Sequence, residues 1–408
     1  MQKANFARVL AILCMICALG PLSTDMYLPS IPKIASDLAT SVPTMQTTVS
    51  IFFLGMAFGQ VIYGPLADAF GRRKIILVGS FIFFVASFAA IWADDFRLFF
   101  GLRLLQSLGA SAGVVVINAI MRDMFDGLEF VRAVTVTMLT INIAPLVAPT
   151  LGGLIAPLGW RLVFVILSIY ALCLMGVVRL GLKETLDESN RQSIRPIEIL
   201  SNYRSILSSA KSFGVIFAQM ANGAGMFAFI AGSPYVYMSL YGISESMYGL
   251  LFAANIVSIV VGTSFNTFLV RRSSPLKVML GALIFSFAGS ALLVVSAHAR
   301  FESVFSIVIP VVMFICVVGI VGSNSTAYIL GIYKDKAATA SGAMGFLRFA
   351  GGALAGFALN SFETGDALPF AYTIFVCAFL ALASFVLSRM YVRRARRLES
   401  ACGADSDR

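Results

Sequence analysis

Apolar residues run through this chain in long blocks, separated by short polar gaps. About twelve blocks have helical length, near 8–30, 44–69, 75–93, 97–122, 131–156, 161–181, 211–238, 246–270, 276–297, 303–332, 338–361 and 368–391. About 20 apolar residues suffice for a helix to cross a bilayer core. The pattern therefore predicts an all-α integral membrane protein. Several blocks exceed that length, so tilt or protruding ends are expected. The longest polar stretch is about 182–210, "LKETLDESNRQSIRPIEILSNYRSILSSA". It separates two predicted six-helix bundles, 1–181 and 211–392, with 393–408 left as a tail. The halves echo one another weakly: "FGRRK" follows the second span and "LVRRSSPLK" the eighth. Two such halves around a central loop suggest a transporter whose site lies between them.

Composition agrees with this pattern. Hydrophobic residues make up 59% of the 408 and charged residues only 12%, against about a quarter charged in soluble domains. The net charge of +10 raises nucleic acid as a partner, but the cations sit between apolar blocks and form no basic face. They do set a direction. Lys33, Arg97, Arg161 and Arg300 fall on one side of the predicted spans, and nearly every other loop cation falls on the other. The positive-inside rule then places both termini in the cytoplasm, in what is expected to be a bacterial inner membrane. Lys3 and Arg8 before an apolar core resemble a signal peptide. No convincing cleavage site follows, so a retained first helix is expected.

Five of the six cysteines lie in apolar blocks, and Cys14-x-x-Cys17 has no second pair or nearby histidine to complete a metal site. The one histidine, His298, falls near a predicted helix end. No catalytic group and no metal site is expected. An enzyme would need clustered reactive groups, a channel charge rings or carbonyl filters, and a sensor a soluble domain larger than this loop.

Three ionisable residues lie well inside spans: Asp25, Arg103 and Arg348. If the first span ends near Pro32, Asp25 lies about seven residues, or ~10 Å, below the outer surface. Arg103, counted from Phe96, lies at the same depth. Either charge alone would cost at least ~2.5–3.5 kcal/mol in hydrocarbon, so the two are expected to pair. The pair admits three roles: a structural lock, a proton carrier whose charge changes with its surroundings, or a substrate contact. Arg348 lies ~16 Å deep, near the midplane. It either lines a cavity and attracts anionic or dipolar groups, or bonds backbone carbonyls.

After the second span comes "GPLADAFGRRK", Gly64 to Lys74. Asp68 sits at the helix end, Gly71 permits a tight turn, and Arg72 faces the cytoplasm. "MRDMF" places Asp123 at the inner end of the fourth span. Asp68, Arg72 and Asp123 are expected to latch that side and to release when the halves rock.

These motifs resemble the major facilitator superfamily. "GPLADAFGRRK" is similar to its loop signature G-x-x-x-D-R-x-G-R-[RK], with Ala69 where a basic residue is usual. "RLLQSLGAS", from Arg103, is similar to its fourth-helix pattern R-x-x-Q-G-x-G-A, with Ser107 replacing a glycine. "APTLGG", after Ala144-Pro145, resembles the fifth-helix antiporter element, which places Pro145, Pro149, Gly152 and Gly153. With "TDMYLPSIP" and "VINAIMRDMF", the chain looks like the bicyclomycin/chloramphenicol-resistance group of drug:proton antiporters. The resemblance implies the twelve-helix major facilitator fold, proton-driven efflux by alternating access, and no cofactor beyond the proton gradient. It also implies a gate at Asp68, Arg72 and Asp123, with Arg103 assisting proton coupling at Asp25. Met26, Asn142, Phe227, Asn255 and Arg348 are the candidate cavity residues; aromatics and methionine adapt to varied ligands. Export of a metabolite such as an amino acid or short peptide, and uptake by symport, remain alternatives. The expected partners are a small-molecule drug or metabolite, protons and the bilayer, and not nucleic acid. The chain is expected to act as a monomer.

Overall fold

The structure, a computed structural model, describes residues 3–187, 191, 201, 206–333, 337–362 and 365–405. Most of the expected 182–210 loop lies outside these residues. Among the described residues, twelve helices are long and apolar enough to cross a membrane: α1 (Phe6–Asp37), α2 (Val42–Phe70), α3 (Arg72–Ala90), α4 (Phe96–Met124), α5 (Gly127–Leu158), α6 (Arg161–Gly181), α7 (Ser212–Leu240), α8 (Glu245–Arg272), α9 (Pro275–Ala299), α10 (Phe305–Ile332), α11 (Thr339–Asn360) and α12 (Leu368–Val392). The helix of α12 runs on to Asp405, so most of the expected tail continues it. Among the described residues there is no strand.

The connections alternate between two ends of the bundle. One end carries Arg72, Arg73, Arg122, Arg179, Arg271 and Arg272 and is called the basic end. The far end carries the 38–41, 91–95, 159–160 and 241–244 connections. An even number of spans places the start of α1 and the end of α12 together at the basic end.

Two six-helix halves result. The first half packs α2, α3, α5 and α6 around α1 and α4, and the second packs α10, α11 and α12 against α7, with α9 against α10 and α12. The seam between them is formed by α2 against α7 and α11, and by α5 against α8. Lipid chains are as apolar as leucine, so close fit and hydrogen bonds, not the hydrophobic effect, decide which helices meet. Gly55 and Gly59 of α2 sit against the hydroxyls of Ser107 and Ser111 of α4, with no room for a Cβ on either. Those hydroxyls donate to Leu104 O and Leu108 O at 2.7 Å. Ser107 thus fills a small-residue role in the α2–α4 contact.

The first span differs from its expected extent. Its prolines break it but do not end it. A helix runs Lys3–Asp25, a short 3-10 turn follows at Leu28–Ser30, and a second helix runs Ile31–Asp37. A proline disfavours helical geometry in the residue before it. Pro29 and Pro32 nevertheless fit the opening positions of the two short pieces, where no amide hydrogen is needed. Asp25 therefore lies near the middle of α1, deeper than the expected ~10 Å.

Candidate functional site

The break in α1 presents polar groups to the interior. Among the carbonyls that a helix end leaves without an intrahelical donor, Ser23 O accepts from Arg103 Nη1 at 3.2 Å. Ser23 Oγ lies 3.4 Å from the same nitrogen. Arg103 Nη1 also donates to Gln106 Oε1, and Gln106 Nε2 donates to Ser87 Oγ at 2.7 Å. The guanidinium lies between two rings, 4.1 Å from the centroid of Tyr27 and 4.6 Å from that of Phe52. Tyr27 is held in turn by Thr48, with its hydroxyl 3.0 Å from Thr48 Oγ1. Arg103 is fully buried.

The expected Asp25–Arg103 ion pair is not formed. Asp25 is buried and, among the described residues, has no hydrogen bond and no ion pair within 4.0 Å. Arg103 has no need of it. A desolvated cation–π contact contributes up to about 2 kcal/mol, and a hydrogen bond to a charged group about 1.5–3 kcal/mol. Two rings and the carbonyl acceptors together offset an insertion cost of ~2.5–3.5 kcal/mol. Yet Arg103 Nε and Nη2 have no acceptor. An unpaired carboxyl and two unfilled guanidinium donors thus share one buried region.

Across the seam, Phe53 of α2 meets Phe227 of α7 and Phe349 of α11, with ring centroids 4.3, 5.4 and 6.4 Å apart in the Phe53–Phe227, Phe227–Phe349 and Phe53–Phe349 pairs. Arg348 lies 5.5 Å from the Phe227 centroid. Asn255 is buried, donates to Leu251 O at 2.9 Å, and leaves its own carbonyl oxygen without a partner. Met26 is buried in the α1 break with its backbone against Gly152, and exposed Asn142 donates to Met138 O at 2.8 Å.

The fifth-helix element closes the seam near the far end. Gly152 lies against the Met26 carbonyl, and Gly153 against the backbone of Glu245 and Ser246. Gly249 of α8 faces the Pro149 carbonyl. Any side chain at these three glycines would separate the helices. Nearby, Gln46 Nε2 donates to Gly232 O across the halves at 3.3 Å. Pro145 and Pro149 lie inside an unbroken helix that ends at Ile155. Beside this closed edge is a cleft of ≈430 Å³ lined by Lys33, Asp37, Trp160, Arg161 and Glu245, among others.

At the basic end, Arg72 forms an ion pair with Asp123. Asp68 is exposed and, among the described residues, makes no ion pair within 4.0 Å. Gly64 lies against Val115. Glu184, which no sequence motif marks, accepts from Arg72 N at 2.9 Å and Arg73 N at 3.2 Å. It caps the start of α3, where Gly71 (φ +99°) offers no side chain to do so. A helix start without Ser, Thr or Asp was the available signal, because its amide hydrogens need an acceptor from elsewhere.

A twelve-span helical protein in two halves, with charged residues inside its spans and small residues closing one end, has the build of a membrane transporter. The chain belongs to the Major Facilitator Superfamily, which it matches over residues 13–356. It is 30% identical to a bicyclomycin resistance protein homolog of Haemophilus influenzae, over 98% of this chain and 99% of that one. It is 28% identical to a chloramphenicol resistance protein of Pseudomonas aeruginosa, over 80% and 78% of the two chains. The crystal structure of a D-xylose-proton symporter superposes with a TM-score of 0.75 at 11% identity, covering 93% of this chain and 96% of that one. These relatives agree with the resistance group that the sequence motifs resemble.

Proposed function

We propose that the protein exports small molecules in exchange for protons by alternating access. The observation that carries this reading is the buried, unpaired Asp25 carboxyl beside Arg103, whose Nε and Nη2 lack acceptors. A group that binds and releases a proton must see two surroundings during the cycle, and a carboxyl free of fixed partners can do so. With the halves apart at the far end, Asp25 takes a proton from that side. With the halves apart at the basic end, it releases the proton there while substrate enters the seam. Substrate and proton exclude one another, and each crosses in the opposite direction. Arg103 is the cation whose approach or withdrawal alters how firmly Asp25 keeps its proton.

The arrangement of loop cations supports a cytoplasmic basic end, in a bacterial inner membrane with both termini inside. The halves then correspond to 1–181 and 211–392, joined by 182–210, in a protein that works as a monomer. The relatives named for bicyclomycin, chloramphenicol and multidrug resistance favour export over uptake. Phe227, Asn255 and Arg348 supply substrate contacts from the second half. Arg72, Asp123 and Asp68 gate the basic end, with Glu184 bracing α3.

The test uses everted membrane vesicles with an acid interior, read by a pH-sensitive dye. Adding chloramphenicol, or another compound from a resistance panel, is expected to discharge the gradient in vesicles that carry the protein and not in controls. No discharge across the panel would overturn the antiport reading.

A further inference from the structure

We infer that the substrate binds between the halves through an anionic group held by Arg348, with its aromatic or apolar body against Phe53, Phe227 and Phe349. The inference rests on the transport reading above and names the class of substrate for that site. The two arginines inside the membrane differ in one respect. Arg103 takes hydrogen bonds and ring contacts from the protein itself, through Ser23, Gln106 and two rings, although Nε and Nη2 stay without an acceptor. Arg348 has no hydrogen bond and no ion pair among the described residues. It lies near the middle of α11, where an uncompensated cation is most costly. Its guanidinium lies over the Phe227 ring, 5.5 Å from the centroid.

Its placement is favourable for a ligand. On a helix, positions 345, 348 and 352 share one stripe. Gly345 faces Gln60 of the first half, and Gly352 faces Phe227. Arg348 therefore stands where α11 runs between α2 of the other half and α7 of its own, and it is only partly buried. Gly223 of α7, which carries no side chain, lets the Arg348 stem lie close against the α7 backbone. Asp25, on the opposite half, is outside ion-pair distance.

The acceptor that completes Arg348 therefore comes from outside the chain. A planar guanidinium takes a carboxylate through two parallel hydrogen bonds. The ring cluster beside it crosses the seam, so a bound aromatic body touches both halves at once. The same guanidinium repels a permanently cationic compound, which places lipophilic cations outside the preferred class.

The test compares indole-3-acetate with indole-3-acetamide, which share a body and differ in charge, by titration calorimetry on the full-length protein in detergent. The wild type is expected to bind the carboxylate about ten-fold or more tightly than the amide. Arg348→Gln is expected to remove that preference by weakening the carboxylate alone, and Arg348→Lys to keep part of it. Equal or tighter binding of the amide would overturn the inference. So would a loss of both ligands alike in an Arg348→Gln protein that melts as the wild type does, or no binding of either at millimolar concentration. The two readings fail separately. Proton movement driven by neutral chloramphenicol, without carboxylate preference, removes this inference and leaves antiport standing. Carboxylate preference with no gradient discharge by any compound does the reverse.

Discussion

Arg103 illustrates how a charge is kept inside a membrane without an opposite charge. Its ring contacts and carbonyl acceptors fix the guanidinium in one place. Gln106 contributes by being held itself, through Ser87. Gln106→Leu is expected to leave a buried donor without its acceptor, lowering stability by about 1–3 kcal/mol. Thermal unfolding of the purified protein checks this. Arg103→Lys is expected to keep the charge but lose the flat contact with Tyr27 and Phe52, since an ammonium cannot stack as a guanidinium does. Uphill transport should fall at least ten-fold in this variant while expression holds, and a variant with unchanged transport would show that the cage is dispensable.

At the scale of elements, the helices and their number could be read from the apolar blocks, because hydrocarbon leaves the backbone few alternatives to helix. The first span extends beyond its apolar block. Pro29 and Pro32 look like terminators, yet each fits the opening of a short helical piece, and the chain continues to Asp37. Equal depth predicts an Asp25–Arg103 pair, but depth says nothing about which way a side chain turns. Glu184 was invisible because a carboxylate in a polar loop looks like any solvated charge, and only the folded chain brings it to the amides of Arg72 and Arg73. Glu184→Ala is expected to cost about 1 kcal/mol, the usual value of a helix cap, and Glu184→Gln less. Denaturant titration of the two variants measures the difference.

At the scale of the whole molecule, the halves meet near the far end through glycines. Gly152, Gly153 and Gly249 allow α1, α5 and α8 to touch backbone to backbone. Gly249→Leu is expected to prevent that closure, raising thiol labelling of cysteines placed at the far end and stopping transport. The most direct test of the account is made on Asp25 in proteoliposomes with an imposed pH gradient. The wild type is expected to accumulate substrate against its concentration gradient. Asp25→Asn is expected to lose that accumulation while still exchanging labelled for unlabelled substrate with no gradient. Uphill accumulation by Asp25→Asn at the wild-type level would contradict the claim that this carboxyl carries the proton.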